Sequence, residues 1–189
     1  FGEKAQFDFE LVRERLEAKS YLHKGLRVVF VDEVAGTRTE FQHQGGIADY
    51  LQKIATDRQK PTLCPAVYVE RGGDGGATRF ELSFLWSEGD GEYIKSFVNG
   101  IPTPSGGTHE NGLKAGLVKG VRNYMDTHGL LPKGLTLTAE DIRDGLCAIL
   151  SCYVREPQFQ GQTKERLNNP EITGELDGAP YVRIRFPAP

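Results

Sequence analysis

Gln162, Thr163 and Lys164 follow Gly161 in PQFQGQTKERL, a stretch that is polar except for Phe159 until Leu167 closes it. Glycine permits a bend there. A lysine at the end of such a loop is a mobile point charge that can reach a phosphate, and the Gln162 amide can donate to a phosphate oxygen. The chemistry on offer is stabilisation of a charged oxygen. Three residues do not make a complete site, and a solvated loop has the same composition.

Lys119 and Arg122 form a second candidate, one helical turn apart, able to touch a DNA backbone by Coulombic contact that reads no sequence. Solvated charges on an outer helix face are the alternative. Lys114 lies nearer the apolar margin. His109, behind Gly106-Gly107-Thr108, would sit in the first turn of a helix, where amides and the macrodipole favour anions. The plainer expectation is a tight turn and cap, with His109 hydrogen-bonded locally.

Other chemistries lack their signatures. No GxSxG or CxxC string is present and the four histidines are scattered, so no nucleophile and base pair is indicated. Neither the Gly72 to Gly76 run nor Gly106-Gly107 is followed by Lys and a hydroxyl at Walker spacing, so a complete ATP site within this chain is not expected. No metal-ligand spacing appears. Cys64, Cys147 and Cys152 form an odd set without paired spacing, which favours reduced core thiols in a cytosolic, cytoplasmic compartment. The formal charge of −3 predicts no global attraction to polyanions, so any DNA contact must be local. The longest apolar runs, such as 147–154, fall far short of the roughly eighteen residues of a membrane helix, so no membrane partner is expected. The opening FGEKAQFDFE has neither an initiator Met nor a signal-peptide pattern and reads as an internal segment.

These candidates must be positioned by a mixed set of elements in a chain of 189 residues with 38% hydrophobic and 26% charged residues, enough for one sizeable core. Asp8 can cap a helix through Phe9, Val12 and Leu16, with Phe7 stapling onto Val12 and Gly25 as its stop. Residues 26–32 and 37–42 read as an antiparallel hairpin, and Ile47, Tyr50, Leu51 and Ile54 share one face of a short helix. Residues 66–70 and 79–86 read as strands around the Gly72 to Gly76 turn, followed by a strand at 93–98. IPTPSGGTH reads as a loop ending where Thr108 caps a long helix to about His128, stopped by Gly129, with Leu113, Leu117, Val121 and Tyr124 on its apolar face. Thr138 and Asp141 open a helix carrying Ile142 and Leu146, and 148–154 is a strand that ends before Glu156-Pro157.

At FVNGIPTPSGGTHENGLKAGL and LTAEDIRDGLCAILSCYVREPQFQGQTKERL the chain resembles the transducer domain of the ATPase (B) subunit of bacterial type IIA DNA topoisomerases. FDFELVRERLEAKSYLHKGLRVVFVDE and FQHQGGIADYL extend the likeness to roughly residues 1–172. NGIPTP, GGTHENGL, LPKG and QGQTKERL look closer to the topoisomerase IV member of this family than to the DNA gyrase member. The final TGELDGAPYVRIRFPAP, residues 173–189, departs from the family, where a helix leading towards the cleavage domain would be expected.

The resemblance implies an α/β (α+β) fold of the ribosomal protein S5 domain 2-like type, with a mixed sheet packed by helices and a left-handed βαβ crossover. It implies ATP and Mg2+ held mainly by an adjacent GHKL ATPase domain, with Gln162 and Lys164 reaching the γ-phosphate; Lys164 is then the catalytic candidate. The same likeness makes Lys119 and Arg122 candidate DNA contacts. The implied partners are the GHKL and cleavage domains of the same polypeptide, an A-type subunit and double-stranded DNA, in an ATP-dependent dimer. Such a module couples ATP binding and hydrolysis to clamp closure and strand passage, and this fragment alone would be inactive. The competing expectation is a stand-alone module of the same fold that binds nucleic acid or protein without a nucleotide.

Overall fold

The computed structural model describes residues 8–72, 78–89, 91–132 and 134–178. Their elements are α1 (Phe9–Leu22), β1 (Val28–Asp32), β2 (Thr37–Phe41), α2 (Ile47–Asp57), β3 (Val67–Arg71), β4 (Arg79–Trp86), β5 (Tyr93–Val98), β6 (Ile101–Pro102), α3 (Thr108–His128), α4 (Ala139–Arg143), β7 (Leu146–Tyr153) and α5 (Pro170–Asp177). The expected Phe7 staple, the Gly73 to Gly76 part of the expected turn and the chain beyond 178 lie outside the described residues.

Local chemistry accounts for most boundaries. Asp8 caps α1 by accepting from the Leu11 amide at 3.0 Å. Thr138 and Asp141 form a reciprocal capping box at α4. Gly129, left-handed at φ 61°, ends α3 as expected. Thr108, however, does not cap that helix: the N-cap is Gly107, without a side-chain hydrogen bond, and Thr108 is the first helical residue. Leu146 likewise belongs to a strand and not to the helix before it. At φ 75° Gly145 breaks the helix, and a Cβ there would strike the Ser87 carbonyl oxygen.

β1 and β2 form the expected antiparallel hairpin. The other strands make one mixed sheet in the order β3-β4-β7-β5-β6, in which only β5 and β7 pair in parallel. The chain between those two runs through α3, so this is a βαβ crossover.

Alternation along the central strands sends side chains to two separate cores. Phe80, Leu82 and Phe84 of β4, with Leu146, Ala148, Leu150 and Cys152 of β7, pack against Leu113 and Leu117 of α3 and Ile172 and Leu176 of α5. Leu85, Cys147 and Ile149 face the other way, onto Tyr21 and Leu22 of α1 and Ile47, Leu51 and Ile54 of α2. The sheet is thus a middle layer between two helical layers. Full burial of each such leucine is worth about 1.5–3 kcal/mol, so β4 and β7 are fixed from both sides.

The apolar face of α3 is fully buried only in its first half. Gly112 lets α5 approach so closely that a Cβ there would strike Thr173 and Leu176. Val121 and Tyr124, expected on the packed face, are only half-buried, because α5 ends at Asp177. No helix among the described residues is long and apolar enough to cross a membrane.

Candidate functional site

After β7 the chain enters a narrow hairpin whose tip is the glutamine and lysine string. Asn99 secures the exit: its Oδ1 accepts from the Val154 amide and its Nδ2 donates to the Val154 carbonyl, each at 2.8 Å. Asn99 and Gly100, at φ 52° and 72°, make the tight turn joining β5 to β6. That turn contradicts the expectation that all of IPTPSGGTH is loop, since Ile101 and Pro102 pair with β5.

The hairpin is closed by backbone bonds across it. The Asn168 amide donates to Gln158 O at 2.8 Å and the Gln160 amide to Arg166 O at 2.9 Å. Buried Asn169 clamps the base: its Oδ1 accepts from the Gln158 amide at 2.6 Å, while Nδ2 donates to Glu156 O at 3.2 Å and to the Glu171 carboxylate at 2.8 Å. Leu167 is wholly buried and Phe159 packs against the same core.

The turn before α3 grips the returning limb. The Leu167 amide donates to Gly106 O and the Thr108 amide to Leu167 O, both at 3.1 Å. Gly107, at φ 140°, is required here, because a Cβ would run into the backbone of Leu167. Glycine at Gly106-Gly107 therefore serves the seating of this loop.

At the tip, Gly161 bends at φ 80° and Lys164 itself is left-handed at φ 57°. Residues 161–166 are exposed. Neither the Gln162 amide nor the Lys164 ammonium has a side-chain partner among the described residues. The result is a fixed base with an unsatisfied donor pair at its end, suited to an acceptor brought from outside.

Lys119 and Arg122 do share the outer side of α3, beside a groove of about 480 Å³ that also contains Lys114 and Arg143. Each is engaged within the chain. Lys119 Nζ lies 3.6 Å from the Asp177 carboxylate, and Arg122 Nη2 donates to Leu137 O at 3.0 Å. Lys114 and Arg143 both meet Glu92, at 2.5 and 3.1 Å.

His109 is fully buried, with Nε2 3.0 Å from Thr103 Oγ1, so the local hydrogen-bonded alternative is the one the fold adopts. Burial, and next the charge of Arg166, push its pKa down to about 4, leaving it neutral near pH 7. Thr103 Oγ1 is 2.6 Å from Ser96 Oγ, which donates to the Glu110 carboxylate at 2.6 Å. Burial pushes the Glu110 carboxyl up, against the opposing Ser96 hydrogen bond. Cys147 and Cys152 are buried, Cys64 is half-buried, and all three are free thiols. Among the described residues no group of three or more His, Cys, Asp or Glu side chains converges as a metal site.

Two residues that matter here, Arg166 and Asn169, are not singled out by the sequence reading. A signal for Asn169 is present, since an asparagine before a proline marks a helix start, here that of α5. That helix crosses the expected boundary at 172 and places Ile172 and Leu176 in the core.

Known structures share this layout. The 43K ATPase domain of Thermus thermophilus gyrase B, solved with an aminocoumarin, superposes with a TM-score of 0.78 at 30% identity, over 92% of this chain and 47% of that one. The topoisomerase IV ATP-binding domain of Francisella tularensis gives 0.75 at 28% identity, over 93% and 46%. The family model described as DNA gyrase B matches residues 46–179, and the chain belongs to that family. The DNA gyrase B protein of Chlamydia muridarum is 36% identical over 172 residues, 88% of this chain and 21% of that relative. The B-type polypeptide of DNA topoisomerase 4 from Escherichia coli is also 36% identical, over 180 residues, 94% of this chain and 28% of the relative. The expected lean towards topoisomerase IV is thus not expressed in identity. The chain spans between a fifth and a third of these two relatives.

Proposed function

We propose that this chain is the transducer module in the B-type polypeptide of an ATP-dependent type IIA DNA topoisomerase, and that Gln162 and Lys164 contact the terminal phosphate of ATP held by an adjacent GHKL domain. The observation that carries it is the exposed, unpartnered Lys164 on a clamped hairpin, in a member of the DNA gyrase B family. The residues fit the role: an exposed amide and an exposed ammonium stand two residues apart at the hairpin tip, and Mg2+ ligands would fall to the GHKL domain. When bound, the nucleotide supplies a terminal phosphoryl group of high negative charge.

Lys164 gains that contact only when the module lies against the nucleotide-holding domain, so occupancy favours the closed arrangement. Hydrolysis and phosphate release remove the preference. Charge-assisted contacts of about 1.5–3 kcal/mol bias a two-state hinge by roughly ten- to a hundredfold. Asn169, Gly107 and the α3 turn hold the tip in place meanwhile.

In the same reading Lys119 and Arg122 face a transported DNA duplex, exchanging Asp177 and Leu137 O for phosphates. The cleavage domain follows in the same polypeptide, residues 1–172 together with the rest of α5 form the transducer proper, and an A-type subunit completes an ATP-dependent dimer in the cytoplasm.

The test is Lys164→Ala in the full-length protein. ATP turnover is expected to fall about a hundredfold while nucleotide binding survives. Unchanged turnover contradicts the proposal.

A further inference from the structure

Capturing a free lysine arm costs rotamer and backbone entropy, so a phosphate contact gains from a tip that is already in place. Arg166, two residues past Lys164, supplies a device for this. Its Nη1 donates to the Ser105 carbonyl at 2.8 Å, while the Ser105 amide donates to Glu165 O at 3.0 Å. The bonds run in opposite directions between the same two segments, the returning limb of the hairpin and the turn before α3. That turn is itself anchored. The Gly106 amide donates to Thr103 O at 2.9 Å, the Thr103 amide donates to Ser96 O at 2.9 Å, and the Thr103 hydroxyl meets Ser96 in β5. Buried His109 on α3 contacts Thr103 and lies close enough to Arg166 to sense its charge.

We infer that Arg166 is the positioning residue for Lys164: its guanidinium latches the hairpin to the α3 turn, and through Thr103 to β5, so that the lysine is presented at one fixed place. This rests on the assignment of Lys164 to the terminal phosphate. Arg166 need not touch the nucleotide. The neutral ring of His109 suits the arrangement, since a charged imidazole there would face a guanidinium. Phosphate contact at the tip is then carried by a short chain of bonds to the sheet and to the start of the longest helix.

The experiment compares Arg166→Ala, Arg166→Lys and Lys164→Ala in the full-length protein, reading amide hydrogen exchange at Ser105, Gln160 and Leu167 together with steady-state ATP turnover. Arg166 is exposed, so its variants remain folded. Arg166→Ala is expected to speed exchange at those amides about tenfold and to lower kcat about five- to tenfold, with KM for ATP changing less than about twofold. Arg166→Lys, which can still donate to Ser105 O, restores part of both. Unchanged exchange in Arg166→Ala overturns the latch. Lost turnover with protection intact also overturns it, and points to direct phosphate contact by Arg166. Looser exchange with normal turnover overturns the positioning role; if Lys164→Ala is then impaired the phosphate assignment stands, and if it too is normal that assignment fails as well.

Discussion

Lys164 and Lys119 are both exposed lysines, but their surroundings differ. Lys164 has no side-chain partner among the described residues and stands on a hairpin whose limbs are joined by backbone bonds from Asn168 to Gln158 and from Gln160 to Arg166 and tied to the α3 turn at Glu165 and Leu167. Lys119 pairs with Asp177, and Arg122 beside it holds the Leu137 carbonyl. A ligand at the hairpin gains a new contact without breaking an old one. A ligand at α3 must first displace an internal partner, although an exposed ion pair of this kind is worth only about 0–1 kcal/mol. The hairpin tip offers one ammonium, unpaired among the described residues, on a clamped base; the helix offers diffuse charge that salt can screen.

The largest effect expected from breaking this contrast lies under the hairpin base. His109 has its folded pKa lowered to about 4, so the unfolded chain binds its proton more readily. Its contribution to stability is complete above about pH 6.5 and is lost as pH falls towards 4, by about 3 kcal/mol in all. Glu110, with its pKa raised by burial, acts oppositely: its contribution is complete below the unfolded carboxyl value and fades as pH rises. Thermal melts from pH 4 to 7 on the parent and on His109→Gln separate the two, and an unchanged slope in the variant would sink the His109 assignment.

Gly107→Ala comes next, with a loss of about 2 kcal/mol, from a Cβ pressed on the Leu167 backbone at a positive φ. A chemical denaturation midpoint equal to that of the parent would show that the turn does not grip the hairpin. Asn169→Ala removes three hydrogen bonds at the base, one of which leaves the Gln158 amide unpaired, and should cost about 1.5 kcal/mol. The same denaturation series measures it. Lys119→Ala and Arg122→Ala are expected to change stability by less than about 0.5 kcal/mol. Each should reduce the salt dependence of DNA binding by about one ion released, if the α3 face meets DNA. An unaltered salt slope would remove that face from the DNA path.

Much of this layout is legible in the residues. Asp8, the Thr138 and Asp141 box and Gly129 each set a helix end by local chemistry, and each is observed. The alternation in 79–86 and the run at 147–153 do not by themselves say that the strands are buried on both faces; that follows from helices packing above and below. Thr108 reads as a cap because threonine does favour that position, but contact with Leu167 demands a glycine there instead. Asn99-Gly100 announces the β5–β6 turn, yet the prolines that follow suggest a loop and mask it. Gln162 and Lys164 stand out in the sequence as a polar loop pair, and Asn169 before Pro170 marks a helix start, but the clamp that Asn169 makes on Gln158 and Glu156 forms only when the hairpin closes. Arg166 carries no such signal, because its partner Ser105 becomes a neighbour only when the hairpin folds back on the α3 turn.

The most direct test is a structure of the full-length protein loaded with a non-hydrolysable ATP analogue. Lys164 Nζ is expected within about 3 Å of a γ-phosphate oxygen, with the Gln162 amide beside it. A closed, nucleotide-bound assembly in which this tip points into bulk solvent, away from the triphosphate, would contradict the account.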